Sequence, residues 1–197
     1  MHKNSRWLIF LSVGLIFLAF LFPLWDIAIF APQYPEGLFL QIWINKMGGD
    51  LRNVNILNHY IGMKAITPES IPELKFMPMI AIGLIISGGI VGFLNKRPLT
   101  IAWVVLFTLI AVAGLADFYK WEYDYGHDLS PDAPIKIPGM HYQPPFIGSQ
   151  TLLNISAYSY PGIGGYALIA SISLAYIAAF GHLVFKRKSH SKGQPPS

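Results

Sequence analysis

The chain has no cysteine among its 197 residues. That absence excludes thiolate metal centres, haem attached through CxxCH and cysteine nucleophiles. Charge is scarce too: 12% of residues are Asp, Glu, Lys or Arg, where a soluble domain carries about 25%. No HExxH pair, phosphate-cradling glycine loop or Ser/His/Asp order names a reaction. Acid/base groups cluster along one segment, where Asp117, Glu122, Asp124, His127 and Asp128 fall close together. Such a cluster serves an enzyme, a hard-metal site or a solvated loop equally well, and enzymatic activity stays open.

What fills the space left by charge is apolar. Hydrophobic residues make up 53% of the chain, and the mean hydropathy is +0.46. Four runs are long enough for a hydrocarbon core, which takes roughly 20 helical residues. They span 7–25, 76–94, 99–118 and 162–185. Two long loops, 26–75 and 119–161, and a tail, 186–197, complete the chain. No acidic residue or histidine lies in the middle of any run, which argues against a pump or channel, since an ion or proton path needs such groups. His182 falls near one end of the fourth run.

The few charges are sorted by side. Lys3 and Arg6 precede the first run, Lys96 and Arg97 join the second to the third, and Lys186, Arg187, Lys188 and Lys192 follow the fourth. No acidic residue accompanies these eight, and all 10 acidic residues lie in the two long loops or, for Asp117, at the end of the third run that adjoins the second loop. Basic flanks stay in the cytoplasm during insertion, so both termini are expected there and both loops outside. The net charge of +4 is then a topology signal, and nucleic acid is not an expected partner. The first run exceeds a signal peptide's apolar core and is followed by a poor cleavage site, PLWDIAIFAPQYP, so a retained anchor is expected.

Within the runs, Ala167, Ser171, Ala175 and Ala179 recur every four residues, as do Gly83 with Ser87 and Gly88 with Gly92. That spacing makes smooth faces for close helix packing in lipid. The expected fold class is an all-α transmembrane four-helix bundle carrying a small mixed α/β periplasmic domain built from the two loops.

In the first loop, DIAIFA and LFLQIWIN flank the turn PQYPEG, and the second alternates with a strand's period of two. A hairpin is expected. Asp50 then stands where it can cap a short helix, LRNVNILNHYIGM, which would place Asn55, His59 and Met63 on one face. The second loop opens with Tyr119, Trp121, Tyr123 and Tyr125, an aromatic belt where a span leaves the bilayer. It then turns rich in proline and glycine, and is expected to be irregular but packed. Trp43 and Tyr60 are expected to pack against Pro138–Pro145, since a bare apolar strand face needs a cover.

Histidine and methionine recur together in these loops, in LNHYIGM (57–63) and PGMHYQ (138–143). Met47, Met77 and Met79 also lie in or beside the loops. Imidazole with thioether suits copper, the thioether favouring Cu(I). The candidate metal ligands are His59, Met63, His127, Met140 and His141. Packing is the competing explanation, because methionine fills irregular gaps.

The stretches APQYPEGL, WINKMGGD, LNHYIGM, DFYKWEYDYGHDL, PGMHYQPPFIG and LLN resemble a family of four-helix bacterial membrane proteins encoded beside the maturation genes of the copper enzyme nitrous-oxide reductase. The resemblance runs from about Leu21 to Phe180. It implies an accessory role in copper delivery outside the bacterial cytoplasmic (inner) membrane, with membrane lipid around the spans. It also implies partners among a periplasmic copper chaperone, an ABC-type maturation complex and the reductase. The alternative is a membrane anchor or a docking or electron-transfer subunit without a metal of its own.

Overall fold

A computed structural model of the protein describes residues 3–67, 70–139, 141–152 and 154–190. Five α-helices and five strands follow along the described chain: α1 (Lys3–Phe17), β1 (Trp25–Ala31), β2 (Tyr34–Ile42), β3 (Met47–Gly49), α2 (Leu51–Ile61), α3 (Glu73–Leu94), α4 (Arg97–His127), β4 (Gly148–Leu152), β5 (Ile155–Pro161) and α5 (Ile163–His190). The chain is therefore mixed α/β and not purely all-α. Three helices, α3, α4 and α5, are long and apolar enough to cross a membrane, which makes this a multi-pass membrane protein. The fourth apolar helix, α1, is shorter than expected. It tightens into a 3-10 turn over Leu18–Phe20, and Pro23, which cannot continue a helix, precedes a strand that already begins at Trp25.

Helices α1, α3, α4 and α5 share one core, with Ile9, Ile16, Leu84, Trp103, Val104 and Ala175 at its centre. The small residues of α5, Ala167, Ser171, Ala175 and Ala179, are all buried. There Ser12 and Ser171 each donate a hydroxyl hydrogen bond to the other's carbonyl, at 2.9 and 2.8 Å. On α3, Gly88 and Gly92 make holes for rings, whereas Gly83 is exposed, with nothing among the described residues packed on it. A methyl on Gly88 would meet the Trp103 indole at 2.6 Å, and one on Gly92 would meet the Phe10 ring at 2.9 Å.

All five strands form one antiparallel sheet in the order β3-β2-β1-β5-β4. The expected β1–β2 hairpin is present, with Ile27 opposite Leu40. The second hairpin, β4–β5, replaces part of what was expected to be irregular. Its residues alternate, with Tyr158 and Tyr160 exposed and Ser159 buried, but pairing to β1 decides their conformation. Short chain crossings dock the sheet onto the bundle. Gly162 and Gly164 donate to the carbonyls of Leu24 and Pro23 at 3.0 and 2.8 Å, and a methyl on Gly165 would lie 2.2 Å from the Leu24 carbonyl oxygen.

Helix α4 continues well past the expected end of its span at Phe118, reaching His127. Phe118, Trp121, Glu122 and Tyr125 keep spacings of three and four residues, so one face of this extension stays against the sheet's core. Within the stretch expected as an aromatic belt, Trp121 and Tyr125 pack against the sheet's core, while Tyr119 and Tyr123 are about half exposed.

The two loops do fold together, by other residues than expected. The Tyr60 carbonyl accepts from the Ile135 amide at 2.9 Å, and the Gly62 carbonyl from the Ser130 amide at 2.8 Å. Lys64 pairs with Asp128 at 2.5 Å. The Tyr60 ring itself is half exposed, and the Trp43 ring lies under the Lys46 ammonium, 4.7 Å from its centroid.

Candidate functional site

Helix α2 packs Val54, Leu57 and Ile61 into the sheet's core. Asp50 stands at its start, but its carboxylate accepts from the Phe39 amide at 2.9 Å and caps no helical N–H. The helix ends at Ile61, because Gly62 adopts the left-handed conformation (φ 83°) that glycine tolerates best. The chain then folds back, and Asn55 clasps the backbone of Ile66 through both its amide groups, at 2.9 and 2.7 Å. This reversal separates the expected pair. His59 stays on the exposed helix face, with its ring 6.2 Å from that of Tyr60. Met63 turns inward against the apolar core.

His127 and His141 come together. The Tyr142 amide donates to the Gly126 carbonyl at 2.9 Å, which lays the second loop's return segment across the end of α4. The two imidazoles stack with centroids 4.5 Å apart and planes 20° from parallel. Tyr123 stacks on the other face of His127 at 3.9 Å. Nδ1 of His127 lies 3.0 Å from the Tyr123 carbonyl. A carbonyl can only accept, so Nδ1 carries a hydrogen, and in the tautomer this requires of a neutral ring the lone pair is on Nε2. Met140, the remaining candidate ligand, lies outside the described residues. Among the described residues no three His, Asp or Glu side chains are grouped to hold a metal, and the acidic segment of α4 is dispersed, with Asp128 taken by Lys64.

Behind α2 lies a cavity of about 80 Å³, walled by aliphatic side chains including Ile27, Leu40, Val54 and Ile66. Met63 reaches it too. Five side chains with polar groups also line it: Asn58 and Tyr125, which are hydrogen-bonded to the Lys64 carbonyl and the Ser70 hydroxyl, and Trp121, Glu122 and Tyr142. Glu122 is fully buried. The Trp121 indole N–H, both Glu122 carboxylate oxygens and the Tyr142 hydroxyl are buried with no protein group in hydrogen-bonding reach. Orphan groups of this kind are rare in native structures and call for an explanation. Desolvation raises the Glu122 carboxyl from 4.5 to about 8, so it is mainly protonated at neutral pH. Sequence reasoning noted Glu122 only as part of an acidic run and missed Trp121 and Tyr142. The legible signal was the spacing of Phe118, Trp121, Glu122 and Tyr125, which places a carboxyl on an aromatic helix face.

The sheet's other face is open. Phe39, Tyr158 and Tyr160 are exposed there, beside Gln41, whose side-chain amide donates to Asp26 at 3.2 Å.

No protein-family model, curated protein or solved structure matches the chain.

Proposed function

We propose that the protein is a multi-pass accessory protein of the bacterial cytoplasmic membrane that handles copper on the periplasmic side. On this reading α1 is a fourth span. From Lys3 through Phe20 its helical turns rise roughly 28 Å, close to the hydrocarbon thickness. Arg6 folds its guanidinium over the rings of Trp7 and Phe10, at 5.7 and 5.8 Å, a posture suited to a membrane interface. The basic flanks support a position of the sheet domain outside.

The observation that carries the copper reading is the His127–His141 pair. A histidine whose Nδ1–H is held by a backbone carbonyl is oriented as metal-binding histidines usually are. Its Nε2 is the ligand atom, His141 supplies the second imidazole by turning about its exposed side-chain bonds, and Met140 is its sequence neighbour. His59 and Met63 leave the ligand set, because one faces solvent and the other the core. The resemblance supports a place in the maturation of nitrous-oxide reductase. The partners it implies are a periplasmic copper chaperone, an ABC-type maturation complex or the reductase.

Titration of the detergent-purified protein with Cu(I), in competition with a chromophoric chelator, tests this. Wild type takes up about one equivalent, His127→Ala and His141→Ala each weaken it at least about tenfold, and His59→Ala leaves it unchanged. Absence of uptake, or uptake indifferent to both His127 and His141, removes the reading. A docking subunit without metal would then lead, favoured by the open aromatic face of Phe39, Tyr158 and Tyr160.

A further inference from the structure

The cavity between α2 and the sheet has walls and polar groups that specify a ligand class unrelated to copper. We propose that it is a binding site for a small neutral molecule with an aliphatic body and a single carbonyl or hydroxyl head.

The hydrogen-bond inventory narrows the class. The Trp121 indole only donates, whereas the Tyr142 hydroxyl donates or accepts. Asn58 and Tyr125 on the same wall are already bonded to protein, so the unpartnered indole and hydroxyl are the donors left for one oxygen acceptor, whose two lone pairs can take two donors. A cation would satisfy Glu122 alone and leave the indole hydrogen facing positive charge. An anion would lie against the carboxyl with aliphatic walls around its charge, which is costly. A neutral head avoids both penalties. The raised carboxyl pKa agrees, since the protonated acid adds one more donor.

Size narrows it further. The cavity's volume of about 80 Å³ is roughly half that of an engineered apolar cavity that accepts benzene. Room remains for about four non-hydrogen atoms. Met63, Pro144 and Ile155 line the cavity and are only half-buried, so it lies beneath a single layer of side chains.

Three probes of one shape test the proposal: acetone, 2-propanol and the isopropylammonium ion. Their affinities for the full-length protein in detergent are read by saturation-transfer NMR, with protein-free micelles as the blank. Acetone and 2-propanol should bind saturably, and isopropylammonium at least about tenfold more weakly. Tyr142→Phe removes a hydroxyl on which no protein contact depends, so the fold survives, and it should weaken acetone about fivefold to tenfold. Glu122→Gln keeps a neutral donor and acceptor and should hold acetone within about threefold. If no probe saturates, the proposal fails and water is the cavity's occupant. If isopropylammonium binds best and Glu122→Gln abolishes it, the site takes amines and the neutral class is wrong.

Discussion

Gly126 on α4 and Tyr142 on the second loop meet backbone to backbone, and both sites depend on that contact. The Tyr142 amide reaches the Gly126 carbonyl at 2.9 Å, and a methyl on Gly126 would fall 2.4 Å from the Cα of Gln143. Crossing there sets His141 over His127 and brings Tyr142 to the cavity wall.

Gly126→Ala should therefore force the return segment off the helix. Backbone cannot yield as a flexible side chain can, so a loss of roughly 1–3 kcal/mol is expected. Thermal unfolding of the purified protein measures it. Limited proteolysis should show faster cutting within 131–147, with the bundle helices still protected. A variant as resistant as wild type would mean that the crossing is easily displaced.

Glu122 gives stability a direction with pH. Its carboxyl titrates near 4.5 in the unfolded chain and at about 8 in the folded one. Between these values the unfolded chain has released a proton that the folded chain keeps. Stability is thus fully present below 4.5 and falls as pH rises through the window, by up to about 1.4 kcal/mol per pH unit. Above about 8 both states have lost the proton and the curve levels. Unfolding measured from pH 5 to 9 should show this slope in wild type and a flatter profile in Glu122→Gln, which should be the more stable of the two at pH 8. Equal slopes would show that Glu122 is ionised at neutral pH.

Ser12 and Ser171 couple the first helix to the last. Each single alanine substitution leaves a hydroxyl facing its partner's backbone, and a double-mutant cycle should return about 0.6 kcal/mol of coupling. A coupling of zero would assign the α1–α5 contact to packing alone.

Orientation is read from charge, and reporter fusions check it. Fusions at Lys96 and Ser197 should be active only with cytoplasmic reporters, because the eight basic residues flanking the helices there have no acidic company. A periplasmic signal at either point would place the histidine pair on the wrong side for the copper reading.

The apolar runs, the β1–β2 hairpin and α2 were legible because each is governed by local pattern: run length, period two and helical spacing. The β4–β5 hairpin was not, since its conformation comes from pairing with β1, far away in sequence. Local pattern also misjudged the two ends of the spans. Trp25 looks like the close of an apolar run yet opens a strand, and Tyr119–His127 look like a loop yet extend a helix, because the sheet supplies the apolar contacts. The histidine pairing failed at Gly62, whose left-handed turn sends Met63 inward. His127 and His141 were both candidates, but their stacking depends on the Gly126–Tyr142 crossing, which no single-segment pattern encodes.

Strand β1 is bonded to β2 on one side and to β5 on the other. Its first partner is made moments later in synthesis, whereas its second arrives only after α3 and α4 have emerged. Trp25 must wait for Pro161. Contacts of such sequence separation are slow to form, so a nascent chain passes through a stage in which the β5 edge of β1 is open and the cavity has no far wall. Because α5 follows β5 directly, closing the sheet brings the start of the last helix beside the short first one. A chain stalled before β5 would present a hydrogen-bonding edge to any strand that reached it, and quality control at the membrane has an exposed edge to recognise.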